Sequence, residues 1–224
     1  MRAAFFDVDG TLTDDRTWKG FLDYFLTNKV KRSTHYTFLL IHYSLYLYHR
    51  LGLLSASRFR GIWAANMAWY VKGFSEAEAQ AVWDWTVEKF LNQHWRTDIR
   101  VILNDHLNHG DHVVLVSSGP APLIQRIAHE LGTAHAVGTV LEKQNGIYTG
   151  RSLEPVCIAE HKTSLAKQYL AKNNLIINFE DSWAYADSIG DLNLLEMVGH
   201  PMPVFPEDEL REIAIKRGWT IIAE

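Results

Sequence analysis

The chain has 224 residues, 47% hydrophobic and 21% charged, with a formal net charge of −4. It is long enough to bury a sizeable core in one or two domains and too apolar to be disordered. With 22 Lys and Arg against 26 Asp and Glu there is no global basic excess, so no nucleic-acid partner is expected.

Cys157 is the only cysteine, so no intrachain disulfide is possible and a reducing compartment is expected. The segment ahead of Asp7 is apolar for only four residues, too short for a signal-peptide core, and the reading is cytoplasmic. Arg2 to Phe6 is a short apolar strand. The stretch from Asp14 to Trp95 contains no proline and reads as helical. Within it, Ser33 to Arg50 and Ser57 to Tyr70 are helix candidates, with breaks at Gly52 and Gly73. Ser33 to His49 is the longest run without Lys, Arg, Asp or Glu, but its histidines, Ser44 and tyrosines make a poor membrane span. Ser75 and Glu78 form a capping box that opens a helix towards Asn92.

Strand and helix then alternate. Thr97 to Asn108 is a helix stopped by Gly110, His112 to Ser117 a buried strand, and Pro122 to Leu131 a helix stopped by Gly132. Val140 to Tyr148 reads as a hairpin turning at Asn145-Gly146. Glu160 to Lys172 is a helix, Trp183 to Asp187 a strand, and Asp191 to Val198 a helix. Met202 to Phe205 is a strand, Glu207 to Lys216 a helix, and Trp219 to Ile222 a last strand. This alternation predicts an α/β, three-layer Rossmann-like core with a mostly parallel sheet. Residues 14–95 are then an all-helical insertion after the first strand, and residues 1–13 and 96–224 form the core.

Open parallel sheets bind ligands beyond the carboxyl ends of their strands. The first strand runs into Asp7-Val8-Asp9-Gly10-Thr11. Asp7 and Asp9 point the same way in extended chain, and two such carboxylates repel unless a cation joins them. Mg²⁺, a hard oxygen-seeking ion, suits them. The second strand ends in Ser117-Ser118-Gly119, and the third in Asp187-Ser188-Ile189-Gly190-Asp191. Lys162 lies early in the helix between them. Singly, each has an ordinary reading as a turn, a loop, a solvated lysine or a helix N-terminal charge. Together they form a set suited to phosphoryl transfer, with an Asp able to carry a covalent phosphate.

DVDGTLT, LVSSGP, the Lys162 region and ADSIGDLNLLEMVGHPMPVFP, in that order, resemble the four motifs of the haloacid dehalogenase-like hydrolases, phosphoserine phosphatase-like branch. The resemblance spans the chain and makes 14–95 similar to a C1-type helical cap. It implies a phosphatase with Asp7 as nucleophile and Asp9 as general acid and base. Mg²⁺ would be held by Asp7, the Asp9 carbonyl, Asp187 and Asp191, and the phosphate by Ser117, Ser118 and Lys162. Phosphotransferases and phosphomutases of this fold share the nucleophile and remain open. The cap departs from phosphoserine phosphatases. Arg16 stands where those enzymes place a Glu for the substrate amine, and Arg58 and Arg60 are candidates for the Arg that meets the carboxylate.

His106, His109 and His112 have a metal-like spacing, but Gly110 interrupts it, and a solvated helix end is expected. His35, His42 and His49 recur every seven residues and should form a polar stripe facing water or the cleft. The insertion carries ten basic and seven acidic residues, and Tyr24 to Ser75 holds seven basic residues and no acid. Eighteen of the 27 aromatic residues lie in 14–95. They could fill the cap core, or with the basic residues form a peripheral contact to an anionic membrane, as a lipid-phosphate phosphatase or binding protein would. A cage for a quaternary ammonium is a third reading. The ester is thus a small or amphiphilic organic phosphate.

Overall fold

The computed structural model describes residues 1–222. Strand β1 (Ala3–Phe6) is fully buried. Helices α1 (Thr17–Thr27), α2 (Arg32–Arg50), α3 (Ala56–Asn66) and α4 (Glu76–Trp85) follow. The chain continues through α5 (Thr97–Asn108), β2 (His112–Pro120), α6 (Ala121–Glu130) and β3 (His135–Thr139). A hairpin of β4 (Leu141–Gln144) and β5 (Ile147–Ser152) precedes α7 (Glu160–Lys172). The order closes with β6 (Trp183–Ala186), α8 (Leu192–Leu195), β7 (His200–Pro203) and α9 (Asp208–Arg217).

Five strands form one parallel sheet in the order β3-β2-β1-β6-β7. Side chains alternate across it. Ala4, Phe6, Val113 and Leu115 join one core with α5, α6 and the inserted helices. Ala3, Phe5, Val114 and Val116 join the other with α7, α8 and α9. The result is the three-layer α/β core expected from continuous apolar strands. The inserted helices leave and rejoin it through a paired neck. Thr13 bridges Trp95, the Asp14 amide donates to the His94 carbonyl, and the Arg96 amide donates to the Leu12 carbonyl. The β4–β5 hairpin reaches back to the insertion through a Ser75–Ile147 bridge. Its turn residues Asn145 and Gly146 are both left-handed, φ 51° and 79°, as a tight hairpin requires.

Several expectations change. The Ser57–Tyr70 helix stops at Asn66 and gives way to a 3-10 turn over Met67–Val71. The helix from Ser75 ends at Trp85, followed by a π-type turn, Thr86–Phe90. Strand β3 was not expected, because its HAVGT has little apolar length of its own. The expected last strand is reduced to one parallel bridge, Val204–Ile222. Residues 223–224 of the expected core lie outside the described residues.

The histidine stripe of α2 faces inward, not to water or the cleft. His35 and His42 are buried, and each finds a partner. His35 Nδ1 lies 3.1 Å from the Tyr70 hydroxyl, and His42 Nδ1 lies 2.7 Å from the Phe38 carbonyl. Burial holds both imidazoles below their ordinary pKa, because it penalises the charged form. His106 is also buried rather than solvated, with Nδ1 2.9 Å from Asp111 and Nε2 2.8 Å from the Tyr185 hydroxyl. A buried polar ring persists where neighbours satisfy both nitrogens.

Candidate active site

The sheet brings the expected carboxylates together. β1 is the central strand and delivers Asp7 at its carboxyl end. Its neighbours β2 and β6 deliver Ser117 and Asp187 to the same edge. Asp7, Asp187 and Asp191 are all buried, with carboxylate oxygens within 4.8 Å of one another. From the first turn of α7, Lys162 Nζ donates to Asp7 Oδ1 at 2.6 Å and lies 2.5 Å from Asp191 Oδ1.

Burial pushes the Asp7 carboxyl up to about 8; the Lys162 charge opposes this, and the Asp191 and Asp187 charges add to it. Asp187 is pushed up to about 6, again chiefly by burial, with Arg16 opposing. Lys162 is raised above its ordinary value, because the Asp191 and Asp7 charges outweigh its own burial. Three carboxylates around one ammonium leave negative charge in a low-dielectric site.

Asp9 takes a different environment from Asp7. Its carboxylate turns to the start of α1, where it accepts the Thr17 amide at 2.6 Å and the Thr17 hydroxyl at 3.1 Å. Burial raises its pKa, and the Thr17 amide and Arg16 work against the rise. Thr17 was not singled out from the sequence. The available signal was a Thr placed to open a helix close after an Asp-x-Asp motif, with no other cap for that helix.

Arg16 is drawn into the site. Its Nη1 donates to the Asp9 carbonyl, and its Nη2 lies 3.3 Å from Asp187 Oδ2. Arg60 approaches the loop after β6: a Cβ built on Gly190 would lie 3.5 Å from its Nη1. Arg58 is not brought in; it is exposed on the first turn of α3. Ser117 is fully buried, and its Oγ accepts the Gly119 amide at 3.2 Å. Ser118 is half-buried, with its carbonyl accepting the Thr139 hydroxyl at 2.8 Å.

The donor set suits a divalent cation. Asp187 Oδ1 is buried without a hydrogen-bond partner, which is costly unless something else meets it. Asp7, Asp187 and Asp191 offer the oxygen ligands that Mg²⁺ prefers, and the Asp9 carbonyl, which accepts from Arg16 in this structure, is a further oxygen donor. Four carboxylates against Lys162 and Arg16 also leave about two negative charges when ionised. Cys157 takes no part as a nucleophile: it is fully buried, and burial pushes its thiol up to about 12.

A family model of haloacid dehalogenase-like hydrolases matches residues 4–196. The chain belongs to that family, and within it to the phosphatases. A phosphoserine phosphatase of Mycobacterium tuberculosis is 29% identical over 222 residues, covering 98% of this chain and 70% of the relative. A histidinol-phosphatase of Neisseria meningitidis is 30% identical over 125 residues, 55% of this chain and 56% of that one. Among solved structures, a Bordetella pertussis protein of unknown function superposes with TM-score 0.82 at 27% identity, covering 99% of this chain and 98% of that one.

Proposed function

We propose that the chain is a Mg²⁺-dependent phosphomonoester hydrolase that works through an aspartyl-phosphate on Asp7. The observation that carries this is the buried group of Asp7, Asp187, Asp191 and Lys162 at the carboxyl edge of the sheet, with Asp9 held apart by Thr17. Asp7, the Asp9 carbonyl, Asp187 and Asp191 would hold Mg²⁺. When bound, the ion would offset charge on the phosphate oxygens and favour the ionised form of Asp7.

An oxygen of Asp7 attacks phosphorus, and the bond to the ester oxygen breaks. Asp9, with its raised pKa, gives its proton to that leaving oxygen. It then takes a proton from the water that attacks phosphorus, and the bond from phosphorus to Asp7 breaks, releasing inorganic phosphate and the free Asp7 carboxylate. The Thr17 amide and hydroxyl hold the Asp9 carboxyl, whereas Lys162 is hydrogen-bonded to Asp7, so the two acids have separate partners and separate roles. Lys162 and the Ser117 hydroxyl hold the phosphate oxygens, with Ser118 at the rim. Residues 14–95 act as a cap whose closure excludes water other than the attacking one. The names of the phosphatase relatives favour water over a second alcohol as acceptor, and so hydrolysis over mutase chemistry.

Arg16 bears on the substrate. A guanidinium at the cleft beside Asp9 and Asp187 repels an ammonium group. Organic phosphates lacking a nearby amine should therefore outcompete phosphoserine. The test is a phosphate-release panel of amino-alcohol, sugar and lipid phosphates, with Mg²⁺ or with chelator. Activity should need the metal and fall by about a thousandfold or more in Asp7→Asn. Wild-type turnover in Asp7→Asn, or full activity in chelator, would overturn the mechanism.

A further inference from the structure

Helix α2 is packed inside out. Its inward face carries His35, Phe38 and His42, two of them polar. Its outward face carries Tyr36, Leu40, Tyr43 and Leu47, which are 62%, 71%, 68% and 52% exposed. Leu51, 73% exposed, continues the row past the helix end. These residues recur at four- and three-residue intervals, so they form one stripe opposite the buried one. Among the described residues, nine of the 17 exposed large hydrophobics fall between Tyr36 and Leu53. Ser44, on the same side, is quieted by donating its hydroxyl to the Leu40 carbonyl at 2.9 Å. A helix that faced only water would place charges here, and α2 has none between Ser33 and His49.

Charge surrounds the stripe with one sign. Lys29, Lys31 and Arg32 stand at one end, Arg50 and Arg58 at the other, and no acid occurs from Tyr24 to Ser75. A cavity of about 660 Å³ opens at the α2 start, lined by Lys31, Thr34, Thr37, Trp69 and Lys72 among others, with no acidic residue in its wall; Arg151, which also lines it, is paired with Glu142 and adds no free charge. The α2 start has no side-chain cap and no acid in its first turn, so its free amides and dipole face the same way as these cations. Thr37 lies one helical turn before Leu40 and Ile41, so the cationic cavity adjoins the apolar stripe.

We propose that the outward face of α2 docks on an anionic phospholipid bilayer, with headgroup phosphates meeting the cations at the helix ends. Exposed tyrosines and leucines flanked by Lys and Arg match the layering of a membrane interface. A second copy of the chain fits less well. An antiparallel pairing of two stripes would set Arg32 against Arg50, and a parallel one would set each basic cluster against itself, with no local acid to answer. No described helix is long and apolar enough to cross a membrane, so the contact is peripheral. It is separate from the catalytic reading and does not depend on it.

The test is sedimentation with vesicles of phosphatidylcholine alone or mixed with phosphatidylglycerol. The intact protein should bind the anionic vesicles and not the neutral ones, and should release in high salt. Leu40→Asp combined with Leu47→Asp should weaken binding by about tenfold or more. Melting temperature and turnover of a soluble phosphate ester should stay at wild-type values. Hydrogen exchange on the unaltered protein gives a second readout: amides of residues 36–51 should slow when anionic vesicles are added. Equal binding to both vesicles, no loss in the double variant, or unchanged exchange would overturn the proposal. So would a wild-type dimer that the double variant makes monomeric.

Discussion

Gly10 has φ +96°, and a Cβ built there would lie 2.6 Å from Asp187 Cγ and collide with its Oδ2. Two requirements meet at this residue: a left-handed turn after β1 and room for the carboxylate delivered by β6. Gly10→Ala should destabilise the fold by about 1–2 kcal/mol from the backbone alone. It should also displace Asp187 and weaken Mg²⁺ affinity and turnover by about tenfold or more. Titration calorimetry with Mg²⁺ and steady-state phosphate release check this; wild-type affinity would show that the turn tolerates a side chain. The residues that meet at the carboxyl edge of the sheet were legible in the sequence because each follows a strand or opens a helix. Thr17 and the inward turn of Arg16 were not, since both depend on how α1 returns to the Asp7–Asp9 loop, a contact that no local pattern encodes.

Among the helices, α4 was the most legible at its start. Ser75 Oγ accepts the Glu78 amide at 3.3 Å, and Glu78 Oε2 accepts the Ser75 amide at 2.7 Å, as the Ser-x-x-Glu spacing requires. Ser75→Ala should cost about 1 kcal/mol and lower the melting temperature by roughly 2–4 °C. Calorimetry checks this, and no change would mean that the hairpin bridge to Ile147 holds this end unaided. The far end was less legible. Helical pattern alone carries α4 past Trp85, but the ladder shifts to π at Thr86, whose hydroxyl donates to the Val82 carbonyl at 2.8 Å. Nearby, a Cβ on Gly20 of α1 would lie 2.7 Å from Thr86 Cγ2, so tight packing of α1 on this turn sets its course. The inverted burial of α2 was hidden for a related reason. A helix with apolar residues on two faces does not state which face its neighbours will choose.

Across the whole molecule, the net charge of −4 averages an acidic core and a helical insertion with a long acid-free stretch. The core concentrates its carboxylates where burial opposes ionisation, and this couples folding to pH and metal. Asp7 and Asp187 move from an ordinary 3.8 to about 8 and about 6 in the folded chain. Below about pH 4 folded and unfolded chains both hold these protons, and the shifts cost nothing. As pH rises from there towards 8, the unfolded chain ionises first, so the stability of the metal-free protein falls across that window. Lys162 stays charged throughout, because its pKa is raised above an already high ordinary value. A divalent cation binds the ionised carboxylates, so its binding releases protons and strengthens as pH rises. Saturating Mg²⁺ should therefore raise the melting temperature more at about pH 8 than at about pH 5.5. Calorimetry at both pH values, each with chelator and with Mg²⁺, measures the difference. Asp187→Asn should shrink it, since it removes one of the two titrating carboxyls and one ligand together. An equal rise at both pH values would place the ion away from Asp7 and Asp187.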